Sequence, residues 1–133
     1  MTQHKELLIK HSILKSNEAL IDAEGNLSLT LKQNRNYYAV FYIVLALAYL
    51  DGFQTGKHHQ LMGWFNKEYI YKHKIFDIEL NEIYKTLLAN REKSDYGVLD
   101  IPEITKVEKG LNEAKFFVET VKEYILKRLE IKE

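Results

Sequence analysis

Residues 37–50 read Tyr-Tyr-Ala-Val-Phe-Tyr-Ile-Val-Leu-Ala-Leu-Ala-Tyr-Leu, fourteen positions without a charge, a glycine or a proline. The run is well short of the roughly 20 apolar residues that a membrane-spanning helix needs. It is apolar at every phase of a 3.6-residue turn, which predicts a helix enclosed on all sides and so the central element of a bundle. The chain has enough other apolar material to build that enclosure, being 46% hydrophobic, with 29% charged residues left for the surface. Its 133 residues fit a single domain, 1–133.

Punctuation is sparse: one proline and six glycines in the whole chain. Sandwiches and barrels need frequent turn residues and long helices do not, so the expectation is all-α. A first helix is predicted over about residues 2–23, with Ile9, Ile13 and Leu20 on one stripe and Leu7, Leu14 and Ile21 on an adjacent one. Gly25-Asn26 supplies a stop. The central helix starts near Ser28 or Thr30, both good N-caps, and ends at Asp51-Gly52. A third helix is expected over about 57–71, fraying at His73-Lys74. A fourth begins after Asp77 and stops at Gly97. The fifth has the strongest start signal: Asp100 and Glu103 fit a capping box, with Pro102 in the first turn. Val107, Leu111, Ala114, Val118, Val121 and Ile125 then keep the alternating four-and-three spacing of a bundle seam. The expected architecture is an antiparallel up-and-down bundle of four long helices plus one shorter helix.

Lys and Arg number 19, as do Asp and Glu, so the formal net charge is zero. A protein that coats nucleic acid through unspecific phosphate contacts is usually clearly basic, so any such binding must be local. The absence of cysteine excludes disulfides and thiolate metal sites and accords with a reducing cytoplasm. The polar N-terminus lacks the apolar segment of a secretory signal. The expectation is a cytoplasmic protein with no membrane partner, no metal and no cofactor.

Polar candidates stand out against this background. Arg91 and Asp95 are four apart, which on a helix permits an ion pair. That pair either stiffens the helix end or orients Arg91 toward a phosphate, a task suited to its planar fork. Arg35, beside Asn34, opens the apolar run and must snorkel to water or be paired. His58 and His59 point about 100° apart on a helix, so only one can face a given ligand. His4, His11 and His73 read as surface residues. Tyr37, Tyr38, Phe41 and Tyr42 form an aromatic cluster read first as core. If Arg35, His58 and Arg91 converge, they make a cationic groove with a titratable imidazole, suited to a nucleotide phosphate or an RNA backbone.

Three segments in order carry a family likeness: Asn34-Arg35-Asn36-Tyr37-Tyr38-Ala39, then His58 through Phe65, then Arg91-Glu92-Lys93-Ser94-Asp95-Tyr96-Gly97. With the Ala114–Val118 segment they resemble the HEPN domain (higher eukaryotes and prokaryotes nucleotide-binding), and more narrowly its small stand-alone prokaryotic branch. The likeness spans about residues 5–128. It implies an antiparallel bundle that dimerises, often beside a minimal nucleotidyltransferase in a toxin–antitoxin pair. It assigns nucleotide or RNA binding to Asn34, Arg35, His58, Arg91, Asp95 and Tyr96. Catalytic members of the family are metal-independent ribonucleases with an Arg-x4–6-His motif. Here positions 96–98 hold Tyr96, Gly97 and Val98, and no histidine follows His73. The likeness therefore implies a binding or regulatory member. A ribonuclease using His58 and Arg91, and a structural adaptor without a ligand, are the alternatives.

Overall fold

A computed structural model of the chain describes residues 2–25, 28–96 and 101–131, with Tyr96 and Ile131 described by their backbone alone. It consists of α1 (Gln3–Gly25), α2 (Leu29–Asp51), α3 (His58–Phe65) with a π-helical continuation (Asn66–Lys72), α4 (Ile78–Tyr96) and α5 (Ile104–Ile131). No strand occurs among the described residues, and no helix there is long and apolar enough to cross a membrane. The chain is an all-α helical bundle.

The ends of α2 follow from its sequence. Ser28 Oγ accepts from the Leu31 N–H at 3.3 Å, as an N-cap should. At the other end Gly52 adopts φ 79°, a left-handed conformation that costs glycine nothing, and the Phe53 N–H closes on the Ala48 carbonyl. Between these caps α2 packs against α1, α3, α4 and α5. Tyr37, Ala39, Val40, Ile43, Val44, Ala46, Leu47 and Ala48 are completely buried.

Cross-helix partners set the directions. Tyr38 meets Arg91 while Gln33 reaches Ser94, so α4 runs opposite to α2. Lys32 pairs with Glu108 and Asp51 with Arg128, so α5 runs with α2 as its diagonal neighbour. The four long helices thus alternate up and down. Residues 53–57 carry the chain back along α2, so that α3 starts beside Tyr37 and Phe41 and its continuation reaches Asp51 with Tyr69.

α1 buries a narrower face than its pattern suggests. Ile9, Ser12, Ser16, Ala19 and Ala23 are buried, with Ile13 and Leu20 packed at the edge of the core. The small residues bring the α1 and α2 backbones close enough for Ser16 Oγ to donate to the Ala39 carbonyl at 2.7 Å. The second stripe, Leu7, Leu14 and Ile21, faces outward.

Three boundaries differ from expectation. The third helix changes to π geometry at Asn66, where the wider turn directs both Tyr69 and Ile70 inward. Its end is an ordered turn, not a frayed one: Lys74 takes φ 51°, and the Ile75 and Phe76 N–H groups both bond to the Tyr69 carbonyl. The fifth helix starts at Ile104, its first carbonyl contact running from Val107 to Glu103, so Pro102 precedes the helix. Asp100 of the expected capping box, Gly97 and Asn26 lie outside the described residues. Asp77 does cap α4, accepting from the Glu79 N–H at 3.1 Å. The α5 seam from Val107 to Ile125 is buried at all six expected positions.

Gly110 sits in that seam. A Cβ there would lie 3.2 Å from Asn36 Nδ2 and 3.3 Å from Leu87 Cδ2, and Asn36 is held by its bond to the Val107 carbonyl. Gly110→Val is expected to cost about 1–3 kcal/mol through overpacking. Gly63→Ala, in the open on α3 with nothing within 4 Å, is expected to stabilise by about 0.5–1 kcal/mol. Urea midpoints of the two variants, moving in opposite directions from the parent, check both.

Candidate functional site

The polar start of α2, the first turn of α3 and the last turns of α4 meet at one end of the bundle. α2 supplies Asn34, Arg35, Tyr37 and Tyr38. The returning link sets His58 against them, and the antiparallel run of α4 sets Arg91, Glu92 and Asp95 alongside.

Tyr38 is the hub. The Arg35 guanidinium lies over its ring at 4.9 Å and that of Arg91 at 5.5 Å. The His58 ring meets it edge-on at 5.7 Å, and Arg91 Nη2 donates to its hydroxyl at 3.2 Å. Attraction between a guanidinium and the negative face of an aromatic ring makes such a ring a neutral platform for two cations. Tyr38 stands three residues after Arg35, so helical spacing alone puts the two together.

The two arginines are compensated differently. Arg91 is buried, and its Nε donates to Asp95 Oδ2 at 2.9 Å, an ion pair with both side chains largely removed from water. Asn34 Nδ2 donates to the same carboxylate oxygen at 3.2 Å, tying α2 to α4. Arg35 instead donates from Nε and Nη2 to Asn34 Oδ1, at 3.0 and 2.8 Å. Among the described residues Arg35 makes no ion pair, so its charge is met by an amide oxygen and a ring face alone. It is also only half-buried, whereas Arg91 is buried.

His58 is equally well held. Its Nδ1 lies 2.7 Å from the Tyr37 hydroxyl, and its ring stacks on Phe41 at 4.6 Å. Burial holds the Tyr37 phenol protonated far above its usual range, and partial burial with the nearby Arg91 charge lowers the His58 pKa. A protonated phenol and a neutral imidazole are both satisfied when Tyr37 donates to Nδ1, which leaves the ring proton on Nε2. In that tautomer His58 presents a neutral N–H donor. His59 turns away and pairs with Glu92 at 2.9 Å on the exposed side.

The residues expected to converge do so: Asn34, Arg35, His58, Arg91 and Asp95 share one cluster. Tyr96 ends α4, and its side chain lies outside the described residues. The Arg91–Asp95 pair is sheltered and networked, in contrast to the exposed pair that spacing alone suggests. Sequence reading missed the roles of Tyr37, Tyr38 and Glu92. Helical spacing points the aromatics to the core, where Tyr37 does lie; the partners of the Tyr37 and Tyr38 hydroxyls come from other helices. His4, His11 and His73 are exposed. Among the described residues no group of three or more His, Cys, Asp or Glu could hold a metal ion.

Because the folded state disfavours charged His58, the unfolded chain binds its proton more readily near pH 6.5. The stabilisation is complete above that pH and declines as pH falls toward the lowered folded-state value. Urea midpoints measured from pH 7.5 down to 5.5 should therefore fall more steeply for the parent than for His58→Gln. Parallel slopes would show that His58 titrates as a free imidazole.

Comparison with known proteins agrees with this architecture. Residues 9–124 match the family model of the HEPN domain. The chain is 33% identical over 124 residues to a UPF0332 protein of Thermotoga maritima, covering 91% of this chain and 93% of that protein.

Proposed function

The chain belongs to the HEPN-domain family, and on that premise we propose that it is a non-catalytic, homodimeric member that binds RNA or a nucleotide by its phosphate at the Tyr38 cluster. The observation that carries this reading is the half-buried Arg35, a cation without an ion-pair partner among the described residues, braced on Tyr38 beside Arg91 and His58. A phosphate oxygen arriving there would gain charge-assisted hydrogen bonds from the guanidinium and a neutral N–H from His58. Asp95 would hold Arg91 in place behind it. The lack of an Arg-x4–6-His motif, and a His58 whose Nδ1 is taken up by Tyr37, speak against the alternative of a ribonuclease using His58 and Arg91. As a toxin–antitoxin or related defence component, such a protein would have a minimal nucleotidyltransferase as its partner.

Fluorescence anisotropy with a labelled single-stranded RNA and with ATP tests the reading. We expect binding that weakens as salt rises, as phosphate contacts require. Arg35→Ala should weaken it about tenfold, a loss of about 1.4 kcal/mol. Lys127→Ala, on a remote exposed surface, should leave it unchanged. RNA kept intact in EDTA is the companion expectation. Cleavage in EDTA that disappears in His58→Ala would establish the ribonuclease reading instead, and equal affinity of the parent and Arg35→Ala would remove the cluster as the site.

A further inference from the structure

α1 carries an outward strip of large apolar side chains left exposed among the described residues. Leu7, Leu14 and Ile21 are 66, 53 and 69% exposed, although all are large and apolar. Lys10 and Glu18 stand between them, also exposed. At 100° per residue these five positions fall within about 40° of one line along the helix. Together they make a narrow apolar seam flanked by one cation and one anion.

The order of residues in the strip is self-complementary. Leu7 and Ile21 are each seven residues from Leu14, and Lys10 and Glu18 are each four from it. Two copies of α1 laid antiparallel about a two-fold axis at Leu14 therefore match throughout. Leu14 meets Leu14, Leu7 meets Ile21, and Lys10 meets Glu18. A parallel pairing would instead set Lys10 against Lys10 and Glu18 against Glu18. An isologous two-fold contact requires a patch that is its own complement, as this strip is in the antiparallel sense.

The Ile21 end of the strip continues onto α2. An open hollow there is lined by Ile21, Asp22, Gly25, Leu31 and Arg35, and Leu31 is itself 53% exposed. Gly25 adds no side chain to fill it. In the antiparallel arrangement this hollow lies opposite the partner's Leu7, which gives that side chain an apolar wall on two helices.

We propose that α1 is the self-association surface of this protein, its strip pairing antiparallel with that of a second copy about Leu14. The inference rests on the homodimer in the function proposed above and specifies where that dimer forms. One consequence links the two: Arg35 lines the hollow and also braces the Tyr38 cluster, so each cluster flanks an end of the seam beside the partner's helix start.

The chain has no cysteine, so introduced ones report on this geometry without background. Under mild oxidation, Leu14→Cys should give a disulfide-linked dimer. Leu7→Cys should cross-link with Ile21→Cys but poorly with itself, and Ile78→Cys, exposed on α4, should remain monomeric on a non-reducing gel. In sedimentation analysis Leu14→Glu should raise the dimer dissociation constant about a hundredfold or more by placing like charges on the axis. Glu18→Lys should weaken the dimer, and adding Lys10→Glu to it should restore the dimer, because the swap recreates the pair. A parent dimer that survives Leu14→Glu and does not cross-link at position 14 would overturn this surface while leaving the homodimer standing. A parent that is monomeric at tens of micromolar would overturn both, leaving the strip to some other protein.

Discussion

A helix with no charge from residue 37 to residue 50 has little to offer water beyond a half-buried stripe of Tyr38, Tyr42, Leu45 and Tyr49, and the arrangement of every other element answers to that constraint. Four helices must surround α2, and the chain supplies them by different means. α1 approaches closely because its inner face is built of serine and alanine. α5 presents a regular apolar seam, with Gly110 left bare where Asn36 intrudes. α3 arrives by a short link that doubles back, and it closes the flank with aromatic rings instead of length.

Enclosure of the apolar run creates a second requirement at its start. Asn34, Arg35 and Asn36 are on the same helix as the buried residues and one turn away from them, so their polar atoms must be met without leaving the bundle. Asn36 goes inward, where its Nδ2 donates to the Val107 carbonyl and its buried Oδ1 has no hydrogen-bond partner among the described residues. Asn34 divides itself between Asp95 and Arg35, its nitrogen donating to one and its oxygen accepting from the other. Arg35 is left with an amide oxygen and a tyrosine ring. The candidate site is thus the place where the burial of α2 runs out, and a cation is left available to an anion.

The far end of the bundle shows a different solution to a similar problem. Asp51, Tyr69, Tyr124 and Arg128 close the ends of α2, the π-helical segment and α5, with Arg128 bonded to Asp51 at 2.7 Å and to the Tyr69 hydroxyl at 2.8 Å. There the cation has a carboxylate partner. The contrast is what singles out Arg35: two polar clusters of similar make-up, one with its charge balanced and one with a guanidinium held by neutral groups.

Much of this was legible in the residues themselves. Hydrophobic periodicity, the Ser28 and Gly52 caps and the α5 seam are local signals, so the number of helices, their approximate spans and the central place of α2 could be read from one dimension. The i, i+4 spacing of Arg91 and Asp95 likewise announces their pair. What local signals do not carry is which face of a helix meets which neighbour. The outward turn of Leu7, Leu14 and Ile21, the π geometry at Asn66 and the start of α5 at Ile104 were decided by packing. So was the site: Tyr37 reaches His58, and Tyr38 reaches Arg91, only because the link returns α3 along α2 and α4 runs antiparallel to it. Sequence determined that a charge-free helix with a polar start must be the centre of an all-α bundle, because burial is a property of composition and period. Tertiary structure alone decided which distant side chains meet at that polar start, because hydrogen bonds and ring contacts depend on positions that no spacing along the chain encodes.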